Sequence, residues 1–218
     1  MSHADMLCIC LSVTDIAPLT VTDNGRGCLA TKKGDNVRIR LQQAALELFR
    51  ERGYDRTTAA EIAGRVGVTE RTFFRHFPDK REVLFDGEAI LRSALTASIA
   101  DAPRNLGPLD TLFRAFRSIE AMLENNRPFS EPRQEVISNT PALHEREMAK
   151  LAKLTEALAA ALQTRGVAEF RAALAARTGM AAFVQATVAW LDDPGLGLGN
   201  RIDAAYCELK TLLINDDN

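Results

Sequence analysis

Residues 58–80 decide the fold, and they read TAAEIAGRVGVTERTFFRHFPDK. Thr58 and Glu61 have the spacing of a capping box at the start of a helix, and Thr69 is a second candidate N-cap. Gly67 lies between the two caps and tolerates the positive φ of a tight turn. Two short helices joined by such a turn form a helix-turn-helix. The stretch therefore predicts this motif.

The second predicted helix, residues 70–76, has an apolar and a polar face. Val66, Val68 and Phe73 would lock it against the first helix, across the small Ala63. Its outward positions are polar and mainly cationic, namely Glu70, Arg71, Thr72 and Arg75. Such a face can enter the major groove of DNA. The same pattern also fits an ordinary helical corner whose charges are solvated.

Charge is distributed unevenly along the 218 residues, although the formal net charge is only −2. Residues 32–81 carry twelve Lys and Arg against seven Asp and Glu, whereas the segments on either side are net acidic. A basic block in an acidic chain is expected of a small nucleic-acid-binding domain joined to a larger acidic one. With 46% hydrophobic and 26% charged residues, the composition excludes disordered, collagenous and fibrous classes.

The motif and its surroundings resemble a known family. The matching positions are Tyr54, Thr57, Thr58, Ile62, Ala63, Val66–Thr69, Thr72–Phe77, Lys80 and Leu84. In this order, residues 37–85 resemble the DNA-binding domain of the TetR family of bacterial transcriptional repressors. The resemblance implies an all-α fold of about nine helices, with a three-helix DNA-binding head and a larger helical body. It also implies that the body dimerises and binds a small effector, which releases the operator.

The resemblance further implies which residues contact DNA. Thr58 would place a helix N-terminus against phosphate, and Lys80 would add a point charge there. Thr69, Thr72 and His76 would supply further contacts to the DNA backbone.

Two positions depart from the family pattern. Phe74 stands where the family commonly has Tyr, so a phenol-to-phosphate hydrogen bond is replaced by packing against the sugar backbone. Arg71 stands where Gly is common, and it would either read a base edge or add a phosphate contact. Arg75 adds cation density one turn later. Phe73 and Phe77 are predicted to be core residues.

The rest of the chain has helical periodicity. A first helix is predicted from Asp35 and another from Lys80 to about Ala100, followed by helices over 108–126, 141–164, 167–192 and about 201–214, with a break at Pro128–Pro132. The apolar stripes of the last two helices suit a homodimer built as a four-helix bundle, since one recognition helix needs a second half-site. Packing within one chain is the alternative.

An effector pocket is predicted between the helices over 108–126, 141–164 and 167–192. Its candidate walls are Phe113, Phe116, Met122, Phe129, Met148, Phe183 and Trp190, with His144 and Arg177 as candidate polar anchors. Most of these side chains would serve equally well as core packing. Arg177 interrupts an apolar stripe, which an anionic ligand group or an intersubunit ion pair would explain.

Other classes of function have little support in the residues. Gly195–Gly199 resembles a phosphate loop only superficially, because no strand precedes it and its spacing fits neither nucleotide motif. No catalytic residue or cofactor is predicted. No metal site is predicted either, because the pair Cys8 and Cys10 lacks a second pair of ligands at the required spacing. The absence of a long apolar stretch or a disulfide framework indicates a cytoplasmic protein without a membrane partner.

We therefore expect a poorly ordered extension over 1–34, a helix-turn-helix domain over 35–85, and an effector-binding and dimerisation domain over 86–218. The expected function is a ligand-responsive regulator, in the repressor class, that binds a pseudo-palindromic operator on double-stranded DNA as a dimer. A ligand-independent DNA-binding protein with a solid body core is one alternative. A helical enzyme with a structural helix-turn-helix is the other.

Overall fold

The chain folds as an all-α structure. The computed structural model describes residues 29–214, with side chains from 36 to 212, and that range contains no strand. Its helices are α1 (Leu29–Arg52), α2 (Ala59–Val66), α3 (Glu70–His76), α4 (Glu88–Ala100), α5 (Pro108–Ser118), α6 (Glu120–Ser138), α7 (Pro141–Thr164), α8 (Glu169–Asp192) and α9 (Gly197–Ile214). Two 3₁₀ turns, Arg81–Leu84 and Pro194–Leu196, precede α4 and α9. The predicted all-helical fold is confirmed.

Helices α1, α2 and α3, with the 3₁₀ turn that follows them, form an N-terminal head around one apolar core. Leu41 of α1, Ile62 of α2 and Phe73 of α3 are fully buried in this core. Helix α1 begins at Leu29, six residues before the start of the head expected at residue 35. The predicted extension up to residue 28, with Cys8 and Cys10, lies outside the described residues.

The helix predicted over 80–100 is interrupted. Helix α4 begins only after Gly87, whose φ of 85° is a left-handed conformation that suits glycine. Val83 and Phe85, before this break, are buried in the head core, whereas Leu91, after it, is buried in the body core. The break therefore allows one continuous segment to contribute to two separate cores.

Two predictions for the middle of the chain are wrong. Pro128 and Pro132 do not break the chain but lie inside α6. Leu123 near the start of this helix is buried in the body core, and Val136 near its end is buried in the head core. Packing at both ends stabilises the helix across the two missing N–H donors. The single helix predicted over 108–126 is instead divided between α5 and α6.

The body consists of α4, α5, α7, α8 and α9, with α8 in contact with α5, α7 and α9. Aromatic rings fill the centre of its core. Phe116 stacks on Phe183 with 4.3 Å between ring centroids, and Phe113 stacks on Tyr206 at 4.2 Å. The body is therefore closely packed around the α5–α8 contact.

A buried ion cluster joins the head to the body. Arg133 of α6 and Glu147 of α7 are fully buried, and so is Lys150 one turn further along α7. Arg133 donates from Nε to the Leu84 carbonyl at 2.6 Å, and from a terminal nitrogen to Glu147 Oε2 at 2.9 Å. Its guanidinium lies over the Phe85 ring, 4.9 Å from the centroid. Since Leu84 and Phe85 belong to the head core, this cluster fixes the head against α6 and α7.

Candidate nucleic-acid interface

Helix α2 begins with the capping box that the sequence predicts. Thr58 Oγ1 accepts a hydrogen bond from the Glu61 N–H at 3.2 Å, and the Thr58 N–H donates to Glu61 Oε2 at 2.8 Å. The bonds from the Thr58 backbone and hydroxyl lower the pKa of the Glu61 carboxyl. A phosphate that approaches Thr58 therefore meets this carboxylate as well as the N–H groups of the first helical turn.

Gly67 makes the turn between α2 and α3. Its φ of 76° is left-handed, and its N–H donates to the Gly64 carbonyl at 3.1 Å. The next N–H, that of Val68, donates to the Ala63 carbonyl at 3.0 Å. Ala63 is fully buried where the two helices approach each other. The chain thus has the helix-turn-helix predicted from the two helix caps and Gly67.

Helix α3 has a buried phenylalanine face and an exposed cationic face. Phe73 is fully buried and contacts Phe77, with 5.5 Å between ring centroids. Arg71, Phe74 and Arg75 are exposed, and 49% of the Phe74 surface is accessible. Within residues 36–212, no carboxylate forms an ion pair with Arg71 or Arg75. Two available cations therefore flank an aromatic side chain on this face.

The other predicted contact residues of α3 lie at its two ends. Thr69 Oγ1 accepts from the Thr72 N–H at 3.3 Å, and the two hydroxyl oxygens lie 3.1 Å apart. Thr69 is exposed, whereas Thr72 and His76 are half-buried. The His76 ring lies beside Phe77, with 6.4 Å between centroids. The structure thus brings the two threonines together at the N-terminus of α3 and leaves His76 at its C-terminus.

Lys80 lies in a different setting from the one that the family resemblance implies. Its Nζ donates to the carbonyls of Tyr54 and Thr57, both at 2.8 Å, and lies 4.0 Å from the centroid of the Tyr54 ring. Burial lowers the pKa of the Lys80 ammonium. Because an ammonium has three donors, these two bonds leave one for a phosphate. The main structural effect of Lys80 is to hold the loop that leads into Thr58.

Two further arginines of the basic block are used within the head, and sequence reasoning missed both. Arg65 pairs with Glu51 at 3.0 Å, across the gap between α2 and α1. Arg40 of α1 donates to the carbonyl of Val66, the last residue of α2, at 2.8 Å. A cation at a helix C-terminus is favourable. The contact of Arg40 with Val66 could not be predicted from local patterns, because the two residues are 26 positions apart in the sequence.

Comparison with known proteins identifies the family of this interface. Residues 41–86 match the family model described as "Bacterial regulatory proteins, tetR family", and residues 106–213 match the "MftR C-terminal domain". The chain belongs to the TetR family. The first match covers α2, the turn and α3, and the second covers the body from just before α5 almost to the end of α9.

Individual TetR-family regulators resemble this chain to different extents. TcmR of Streptomyces glaucescens is 39% identical over 106 residues, which are 49% of this chain and 46% of TcmR. The chain thus spans about half the length, or less, of most curated relatives that it matches. FadR of Thermus thermophilus, solved with lauroyl-CoA, is 28% identical at a TM-score of 0.51, covering 81% of this chain and 93% of FadR. SmeT of Stenotrophomonas maltophilia, in its triclosan complex, is 21% identical at a TM-score of 0.58, covering 84% of this chain and 93% of SmeT. At this identity the similarity supports the shared fold only.

The residues predicted to line a TetR-family effector pocket fall into different environments. Four of them are buried in the body core, namely Phe113, Phe116, Phe183 and Trp190. Met122 and Met148 pack against that core, and His144 is half-buried on α7. The two that lie elsewhere are Phe129, which packs on the head core, and Arg177, which is exposed on α8.

The positions of Phe129 and Arg177 have a physical reason. Helix α6 contacts α1 as well as the body, and Phe129 lies on the side that packs on the head. On α8, the buried stripe passes through Ala176, Met180 and Phe183, so Arg177 points away from the body core. Arg177 therefore lies with the exposed Leu174 on the outer side of α8.

Trp190 has an unsatisfied polar atom inside the body. The side chain is 1% exposed, and its Nε1–H has no acceptor among the described residues. Arg127 of α6 lies over the indole, 5.8 Å from its centroid. Buried donors are normally bonded, so the Trp190 N–H is an exception within the described residues.

The described residues contain neither a membrane span nor a metal cluster. No helix within 29–214 combines the length and the hydropathy needed to cross a bilayer. Nor does that range bring together three or more His, Cys, Asp or Glu side chains that could hold a metal ion.

Proposed function

We propose that this chain is a cytoplasmic, dimeric, ligand-responsive transcriptional repressor that binds its operator through α3. The exposed face of α3 carries the proposal. Arg71 and Arg75 are available for DNA on a helix that the buried Phe73 holds in place. An arginine fork can bond guanine O6 and N7 in the major groove, and either arginine can also bond phosphate.

The remaining contacts of this proposal fix the position of the head on the duplex. The N-termini of α2 and α3, at Thr58 and Thr69, point N–H groups at phosphates, and Thr72 and His76 add polar contacts. Phe74 packs against the sugar backbone. Lys80 acts mainly by holding the loop before α2. Such contacts supply affinity without sequence preference.

We further propose that the outer faces of α8 and α9 form the dimer interface, at about 167–192 and 201–214. Phe170 and Leu174 of α8 are 81% and 56% exposed, and Leu212 of α9 is 72% exposed. Large apolar side chains grouped on one surface favour a second subunit as the partner. Phe170→Asp should shift the protein to monomer in sedimentation, whereas Ile90→Asp, at a 45% exposed site on α4, should not. A dimeric Phe170→Asp variant would contradict this interface.

The effector is proposed to enter the body beside Trp190 by displacing part of its packed aromatic core, since none of the described pockets lies among Phe116, Phe183 and Trp190. The unbonded Trp190 N–H supports this site, because a ligand carbonyl or carboxylate would supply the missing acceptor. Lauroyl-CoA, the ligand in the FadR structure, is one compound to test. Trp190→Phe removes the N–H donor together with the five-membered ring of the indole, and it should weaken effector binding while operator binding is retained.

The test of this function is binding to the DNA upstream of the gene for this protein. We expect that fragment to bind at least about 10³-fold tighter than a shuffled fragment of equal length. A helical enzyme with a structural helix-turn-helix would bind both fragments equally, which would refute the proposal. A ligand-independent DNA-binding protein would also prefer the upstream fragment. In that case, compounds that raise the melting temperature of the protein would leave its operator affinity unchanged.

A further inference from the structure

Arg177 is the one charged residue in the middle of α8. Residues 172–190 contain no other Lys, Arg, Asp or Glu, and the next exposed positions along this face, Ala181 and Gln185, are uncharged. Arg177 is itself exposed, and it forms no ion pair within residues 36–212. Because it points away from the body core, a ligand inside the body does not explain it. Its face belongs to the proposed dimer interface, on which the following inference rests.

Helix α9 carries a carboxylate that matches this cation. Glu208 is exposed and pairs with no cation among the described side chains. The other charged side chains of α9 all form ion pairs within the chain, and they are Arg201, Asp203 and Lys210. On α8, the two carboxylates Glu169 and Asp192 lie at the helix ends, about two and four turns from Arg177. Glu208 is therefore the carboxylate that the two outer faces leave for Arg177.

Arg177 and Glu208 lie at the same height along the pair of helices. Helices α8 and α9 are in contact and are joined by a short 3₁₀ turn, so they run antiparallel. One groove is lined by Leu174 and Thr178 from α8 and by Tyr206 and Lys210 from α9. Arg177 lies within the first of these stretches and Glu208 within the second. In a two-fold bundle, α8 of one protomer packs on α9 of its partner, and every contact occurs twice.

An unpaired charge in such an interface would be unfavourable. The neighbours of Arg177 along its face, Leu174 and Ala181, are apolar and offer its guanidinium no opposite charge. Removal of an ion from water without a partner costs much free energy, whereas a carboxylate that bonds the guanidinium offsets that cost. Arginine suits this role because its planar fork can bond both carboxylate oxygens. Two complementary charges on the facing surfaces meet this requirement.

We propose that Arg177 of each protomer forms an ion pair with the partner's Glu208, so that the dimer contains this pair twice. The pair gives the interface its choice of partner. It favours a second copy of this chain, which carries opposite charges at positions 177 and 208. It disfavours a helical chain that presents like charges there, because like charges in an interface repel each other.

The test exchanges the two charges between protomers. Arg177→Glu and Glu208→Arg each place like charges opposite one another twice per dimer. Each variant alone should therefore dimerise at least about tenfold more weakly than wild type in sedimentation equilibrium. An equimolar mixture of the two, with a fluorophore on the N-terminus of one, should form a heterodimer about as tight as the wild-type dimer, because both contacts then join opposite charges. The combined variant Arg177→Glu/Glu208→Arg should also recover the homodimer.

Arg171→Glu is the matched control, since Arg171 is also exposed on α8 and forms no ion pair within residues 36–212. Its mixture with Glu208→Arg should give no heterodimer tighter than the Glu208→Arg homodimer. Single variants that dimerise as tightly as wild type would overturn the ion pair and leave the proposed interface standing. Recovery in the combined variant but not in the mixture would also overturn it, because the two charges would then interact within one chain. A monomeric wild type would instead refute the dimer itself.

Discussion

Replacement of Glu147 by leucine tests how the head is fixed to the body. Glu147 is fully buried, and its Oε2 lies 2.9 Å from an Arg133 terminal nitrogen and 3.9 Å from Lys150 Nζ. Glu147→Leu leaves two fully buried cations without their shared carboxylate. Removal of one partner from a buried ion pair typically costs about 3–5 kcal/mol of unfolding free energy. We expect a loss in that range for Glu147→Leu.

The companion variant, Arg133→Met, should cost less. Lys150 remains near the Glu147 carboxylate in that variant, so the loss should approach that of charged hydrogen bonds, about 1.5–3 kcal/mol. Denaturant unfolding followed by circular dichroism measures both, at one fixed protein concentration because the protein is proposed to dimerise. Glu135→Ala, which breaks the exposed pair with Arg50, is the control and should cost at most about 1 kcal/mol. A Glu147→Leu variant that is no more destabilised than this control would show that the buried ion cluster does not fix the head to the body.

Three further substitutions test the head. Lys80→Ala removes two charge-assisted hydrogen bonds and should lower the unfolding free energy by about 1.5–3 kcal/mol, while it weakens operator and random DNA alike in anisotropy titrations. In Gly67→Ala the added methyl group meets no atom within 4 Å, but alanine is forced to a φ of 76°. Thermal unfolding should therefore show an unfolding free energy lower by about 1–2 kcal/mol. The control Gly64→Ala, within α2, should stabilise the protein. Arg71→Ala should weaken operator binding by about 1–3 kcal/mol. If sequence preference is lost at one base pair per half-site, Arg71 contacts guanine. If binding to random DNA weakens equally, Arg71 contacts phosphate.

The head could be predicted from the sequence in most of its detail because its signals are local. The capping box at Thr58, the turn at Gly67 and the cap at Thr69 each depend on residues at most five positions apart. The outward face of α3 follows from helical periodicity once Phe73 is assigned to the core. The setting of Lys80 could not be predicted, because its acceptors lie 23 and 26 residues earlier in the chain.

The body was harder to predict because tertiary packing overrides local preference there. Pro128 and Pro132 are strong helix-breaking signals, yet α6 is held at both ends by two different cores. The break at Gly87 depends on the same division between head and body. Helical periodicity also does not tell the core face of α8 from an apolar outer face, so Leu174 and the core residues look alike in sequence.

The most direct test of DNA binding by α3 is the salt dependence of operator affinity. Each neutralised phosphate releases counterion, so six to ten phosphate contacts imply an affinity loss of about 10³–10⁵-fold between 50 and 200 mM salt. Arg75→Ala removes one cation from each of two subunits, and if Arg75 contacts phosphate, the slope of log affinity against log salt should fall by about two. Wild-type affinity that does not change with salt, or an Arg71→Ala/Arg75→Ala variant with wild-type affinity, would contradict the claim that this face binds the operator.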